Sequence, residues 1–121
     1  MTDRKKSNPH IIETIAKLKE RARSENAPIW RDIAIRLERP RRNYAAVNLS
    51  RINRYTAKGD SVIVAGKVLS AGAIDHPVTV SALDFSKEAE RKIKGMDGSR
   101  CLAIEELMKE NPKGSGIKII E

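Results

Sequence analysis

The chain has 121 residues, of which 40% are hydrophobic, 33% charged and 3% aromatic, and its formal net charge is +8. That length suits one compact domain with a modest core, and so few aromatics leave Leu, Ile, Val and Ala to build it and count against a stacking platform for single-stranded nucleic acid. No apolar run approaches the ~20 residues of a membrane span, no apolar segment follows the charged N-terminus as in a secretory signal, and the one cysteine, Cys101, cannot form an internal disulfide, so a cytoplasmic protein with no membrane partner is expected.

Asn8-Pro9 reads as a helix start, with Asn8 as N-cap and Pro9 in the first turn. Ile11, Ile15, Leu18 and Ala22 then form a narrow apolar stripe over residues 9–24. Asn26-Ala27-Pro28 repeats the punctuation, and Ile29, Trp30, Ile33 and Leu37 mark the buried side of a second helix that Pro40 stops. Arg31 and Glu38 fall on its other side. In Val47–Tyr55, Ser50 is the expected N-cap of a short helix, with Leu49, Ile52 and Tyr55 facing inward and Arg51 and Arg54 outward.

After Lys58-Gly59-Asp60 the pattern changes. Ser61–Val64, Gly66–Leu69 and Pro77–Phe85 read as short strands separated by turns. Ser86 caps a helix with two acids in its first turn, and Gly95 closes it. A short strand at Arg100–Leu102, a helix over 103–110 ended by Asn111-Pro112, and a last strand at Ile117–Ile120 complete the reading. Residues 59–121 are thus a neutral, mixed α/β part and residues 1–58 a basic, mainly helical part, joined in one domain because neither has enough apolar residues to fold alone.

Charge divides in the same place. Residues 1–58 hold 15 Lys or Arg against 6 Asp or Glu, and residues 59–121 hold 9 against 10. Such one-sided charge suits an extended polyanion, because neutralising phosphates releases their counterions; the bland reading is a solvated, solubilising face. The densest stretch runs from Arg39 to Tyr55, with five arginines and three asparagines. Arg39, Arg41, Arg42, Arg51 and Arg54, with Lys58, are the candidate phosphate contacts, since the guanidinium fork binds phosphate bidentately and stays charged. Asn48 and Asn53 offer hydrogen bonds to phosphate, sugar or base edges, or serve turns and caps. Lys67 and His76 are candidate RNA contacts from the neutral part.

Catalysis finds little support. Asp75-His76 is a general-base pair on paper, but the two are adjacent, Pro77 follows, and no serine or second histidine matches them, so a turn or surface-contact histidine is the better reading. His10 shows no companion, and Cys101 has neither a CxxC neighbour nor a nearby histidine and reads as a small core residue. Lys113-Gly-Ser-Gly and Gly66-Lys67 lack the strand-loop-helix order and the spacing of a phosphate loop. No enzyme, metal, cofactor or small-molecule substrate is expected.

"VNLSRINRYTAKGDSVIVAGKVLSAGAIDHPVTVSALDFS" and "IEELMKENPKGSGIKII" closely resemble the archaeal and eukaryotic large-subunit ribosomal protein family "L eighteen e", related in fold to the bacterial large-subunit protein "L fifteen". The resemblance covers nearly the whole chain, through a "VNLSRIN" element and a "GKVL…DHP" element, and its length resembles the shorter archaeal form. It implies an α/β fold, an irregular superhelix of β-β-α turns with a helical basic N-terminal part, and a structural place in the large subunit beside rRNA and neighbouring ribosomal proteins. The chain departs at Ala103, where the family commonly has serine, which weakens the cap expected there and leaves binding untouched. A sequence-tolerant RNA- or DNA-binding chaperone is the alternative.

Overall fold

The computed structural model describes residues 9–121; the expected Asn8 cap lies outside the described residues. The fold is α/β, in the order α1 (Pro9–Ser24), α2 (Pro28–Glu38), a short 3₁₀ turn (Arg41–Asn43), β1 (Ala45–Asn48), α3 (Leu49–Tyr55), β2 (Asp60–Leu69), β3 (Val78–Phe85), α4 (Lys87–Lys94), β4 (Arg100–Ala103), α5 (Ile104–Glu110) and β5 (Ile117–Ile119). The chain gathers into two compact units, one of residues 9–44 with Glu105–Ser115, the other of Ala45–Ile104 with Gly116–Glu121. Their boundary follows packing and does not coincide with the charge change near residue 58.

In the first unit the expected stripes form in part, with Ile15, Ala22 and Ile29 only half-buried. Ile11, Thr14 and Leu18 of α1 and Trp30, Ile33, Ala34 and Leu37 of α2 are buried, while Arg31 and Glu38 are exposed. Asn26 does not cap α2: it sits at φ 51° beyond the end of α1, a left-handed conformation that asparagine tolerates, and Ala27 takes the N-cap position with no side-chain acceptor. Trp30 is fully buried, and its indole Nε1 donates to Pro112 O at 2.6 Å. Tyr44 donates its hydroxyl to Leu37 O at 2.6 Å, which fixes the chain just after the 3₁₀ turn. α5 starts directly after Ala103 with Glu105 and Glu106 in its first turn; carboxylates there favour the positive end of the helix dipole in place of a hydroxyl cap.

The second unit is built on a sheet in which every pairing is parallel. β2 pairs with β3 along one edge, while β1 (at Gly66–Leu69) and β5 (at Ser61–Ile63) share the other, and β4 lies beyond β3. The two strands expected at 61–64 and 66–69 are therefore one. Gly66, expected to open the second of them, is instead the place inside β2 where β1 comes closest: a Cβ there would lie 1.9 Å from Ala45 O. β1 itself was not foreseen, because Ala45-Ala46 lacks β-branched residues and lies inside the basic stretch.

β2 is buried from Val62 through Gly66, the near-continuous apolar run that parallel strands show. Val62, Val64, Val68, Val78, Val80 and Ala82 form a core with Leu49 and Ile52 of α3 and Ala89 and Ile93 of α4. Ser81, buried in β3, donates its hydroxyl to Val62 O at 2.9 Å. Ser86 caps α4 as expected, its Oγ accepting from Ala89 N at 3.1 Å. A Ser86→Ala variant is expected to lose about 1 kcal/mol of stability, read as a lower urea midpoint at unchanged slope; an unchanged midpoint would show that the cap does not hold α4. Cys101 packs against this core, and burial pushes its thiol pKa up to about 11, so it stays protonated and poorly nucleophilic at neutral pH.

Candidate nucleic-acid interface

The basic stretch is carried differently by the two units. Arg39, Arg41 and Arg42 are exposed at the end of α2 and on the 3₁₀ turn of the first unit. Arg51, Arg54 and Lys58 are exposed on α3 and just after it in the second. Residues 39–58 contain six cations and no Asp or Glu. Elsewhere in the second unit, acids and bases meet in pairs: Arg91 with Glu88, Lys94 with Glu90 at 2.9 Å, Lys118 with Asp60 at 2.9 Å, and Lys67 with Asp84 at 3.9 Å. These exposed pairs contribute little to stability, but they neutralise charge locally.

Helix α3 sets the geometry of its own arginines. Leu49 and Ile52 are fully buried, which turns Arg51 and Arg54 outward as expected. Tyr55 does not face inward; it is 49% exposed. A spacing of three falls about 60° short of a full turn at 3.6 residues per turn, so two such steps carry Tyr55 off the stripe and toward Arg51. The Arg51 guanidinium lies 5.2 Å from the centroid of the Tyr55 ring, a cation–π pair at i,i+4. Its Nε donates to Glu121 O at 2.7 Å.

Ser50 does not cap α3. Asn48 holds the N-cap position with no capping bond of its own, and its Oδ1 instead accepts from Ala71 N at 3.1 Å. Asn53 Oδ1 accepts from Asp75 N at 3.0 Å. Lys92 of α4 donates to Ser70 O at 2.9 Å and Gly72 O at 3.0 Å. The connector from β2 to β3 is thus strapped to both helices. It has to return over a strand of ten residues, roughly 30 Å at ~3.3 Å per residue, within a few residues of chain, so it has little slack. The two sequence elements that carried the family resemblance are hydrogen-bonded to each other.

His76 closes the same connector. Adjacency does not keep it from Asp75: Nδ1 lies 2.7 Å from Asp75 Oδ1. Its Nε2 lies 2.7 Å from Thr56 Oγ1, and that hydroxyl gives its one proton to Ile52 O at 2.7 Å. The Thr56 hydroxyl thus sits between the His76 ring and the Ile52 carbonyl at the end of α3. The His76 hydrogen bond, then the Asn53 side chain, hold the Asp75 carboxyl below the usual carboxylate range. This arrangement ties the end of α3 to the connector.

His10 does have companions, supplied by the distant part of the chain in its own unit. His10, Glu13 and Glu105 place possible ligand atoms within 4.8 Å of one another. Lys17 is already there, its Nζ 3.2 Å from Glu105 Oε1 and 3.7 Å from Glu13 Oε2, and Thr14 donates to Glu105 Oε2 at 2.7 Å. The Thr14 hydrogen bond and Lys17 hold Glu105 below the usual carboxylate range, and Glu105 raises the Lys17 ammonium. The protein's own ammonium serves these carboxylates as the cation. Among the described residues no helix is long and apolar enough to cross a membrane.

The comparisons with known proteins extend over nearly the whole chain. The chain is 52% identical over 115 residues to the large ribosomal subunit protein eL18 of Methanoregula boonei, covering 95% of this chain and 94% of that protein. It is 48% identical over 116 residues to the eL18 protein of Methanothermobacter thermautotrophicus, covering 96% and 95%. To that of Archaeoglobus fulgidus it is 46% identical over 116 residues, covering 96% and 98%. Residues 2–121 match the family described as ribosomal protein 60S L18 and 50S L18e. The chain belongs to this ribosomal protein family, whose members are non-enzymatic structural constituents of the large ribosomal subunit.

Proposed function

We propose that the protein binds folded large-subunit rRNA by its phosphates, with Arg39, Arg41 and Arg42 acting from the first unit and Arg51, Arg54 and Lys58 from the second. The observation that carries this reading is the exposure of these cations along a 20-residue stretch, 39–58, without a single acid. RNA helices are recognised mainly by shape and backbone, which suits guanidinium groups. Asn48 and Asn53 act from β1 and α3 beside the strapped connector and His76 from the connector itself: the asparagine Oδ1 atoms shape it, and their amide N–H groups are donors for the RNA backbone. Lys67 of β2, half exposed and 3.9 Å from Asp84, adds a contact from the neutral part. Neighbouring ribosomal proteins complete its surroundings in the subunit.

About six neutralised phosphates would give log K against log salt a slope of roughly −4 to −5 for in vitro transcribed large-subunit rRNA, at ~0.7 to 0.9 per phosphate. A near-zero slope would overturn the phosphate grip. Replacing Arg42 and Arg54 together by alanine should shrink the slope by about 1.5 and leave stability within ~0.5 kcal/mol. Equal affinity for duplex DNA in competition would replace rRNA recognition by a sequence-tolerant chaperone activity.

A further inference from the structure

We infer that the Arg51–Tyr55 pair, with Lys118 beside it, is a stacking site for one unpaired base of the bound RNA. This rests on the rRNA reading above and adds a base contact to a surface otherwise described by phosphates.

The site is a solvent-open groove lined by Arg51, Tyr55, Lys118, Ile119, Ile120 and Glu121. Tyr55 is about half exposed, unusual for a large ring on a chain whose other aromatic-rich helix position, Trp30, is fully buried. Tyr55 stands at the edge of the core because of its helical phase, and Arg51 holds its ring from one side at 5.2 Å. The Nε bond to Glu121 O restrains the guanidinium, so ring and guanidinium form a prearranged pair of flat surfaces. Bases splayed out of RNA loops and bulges stack on tyrosine rings and on guanidinium planes alike.

The surroundings suit a nucleotide. Lys118 donates to Tyr55 O at 3.2 Å and pairs with Asp60 at 2.9 Å, yet its side chain stays 51% exposed. Two of its three N–H groups are engaged, leaving a third for a phosphate oxygen. Arg54 immediately precedes Tyr55 on the helix and Lys58 lies three residues past it, so the phosphates flanking a stacked base meet positive charge. The acids here are Glu121 in the lining and Asp60, which is already paired with Lys118. Ile119 gives the groove an apolar wall that a base edge can cover.

The low aromatic content still excludes a multi-ring platform. One ring suffices for one base, and stacking of one base contributes about 1–3 kcal/mol by alanine substitution. The test measures binding of the full chain and its Tyr55→Ala, Tyr55→Leu and Tyr55→Phe variants to in vitro transcribed large-subunit rRNA, with thermal melts as folding controls. The expected result is a loss of about 5- to 150-fold for Ala, a similar loss for Leu, wild-type affinity for Phe, and an unchanged salt slope, because a stacked base releases no counterions. Ultraviolet crosslinking of the wild-type complex should put a nucleotide adduct on the peptide containing Tyr55. Wild-type affinity in the Ala variant, or Leu binding as well as Phe, would overturn the stacking site while salt-dependent wild-type binding upheld the phosphate grip. Absence of rRNA binding by the wild-type chain would instead overturn the reading on which it rests.

Discussion

Replacing Gly66 by alanine is expected to destabilise the second unit by at least about 3 kcal/mol, the upper range for forcing extra volume into a packed site. The added Cβ would sit 1.9 Å from Ala45 O and 2.7 Å from Ala45 N. Those are backbone atoms of β1, which cannot rotate away as a side-chain tip can. Relief requires β1 to leave its register of Ala45↔Gly66 through Asn48↔Leu69, and Asn48 carries one strap of the connector. The effect should therefore reach beyond one strand. Urea denaturation followed by circular dichroism would show it; a midpoint equal to wild type would mean that β1 does not pack against Gly66 in solution.

The second large effect is expected for Trp30→Ala, a loss of about 3–5 kcal/mol. The side chain is fully buried, so its removal leaves a large cavity among Ile33, Leu37 and their neighbours, and Pro112 O loses the donor now 2.6 Å away. Trp30→Phe keeps most of the ring volume but not the indole N–H, and should fall between wild type and alanine. Because Trp30 is the sole tryptophan, the series must be followed by far-ultraviolet circular dichroism rather than intrinsic tryptophan fluorescence. An alanine variant within 1 kcal/mol of wild type would contradict the packing of this helix, since such truncations rarely cost so little.

These two residues mark how far the fold was legible. Trp30 belonged to a helical stripe, so its burial followed from spacing, as did that of Ile33 and Leu37. Gly66 could not be read the same way. A glycine between apolar runs divides them into two short strands, and the reason it stands inside one continuous strand is the approach of a second strand, which only the folded chain supplies. The same limit governs the site. Arg51 and Arg54 were placed outward by local periodicity, whereas the roles of Asn48, Asn53 and His76 depend on partners more than 19 residues away at Ala71, Asp75 and Thr56. Tyr55 departs from the inward stripe because a spacing of three is not a straight line along a helix; at about 100° per residue its phase lies beside Arg51.

The shared edge of β2 bears on the order in which the protein can be made. Translation delivers β1 to β4 well before β5, so a nascent chain can pair Gly66–Leu69 with β1 and the opposite edge with β3 while Ser61–Ile63 still waits for Ile117–Ile119. During that interval the central strand shows open N–H and C=O groups flanked by Val62 and Ile63, the kind of edge that recruits foreign strands. The interval closes when β5 arrives and Ile120 N reaches Ile63 O. The last strand is therefore the stopper of the sheet, and the span of sequence between it and β2 sets how long the chain must be shielded while it is synthesised.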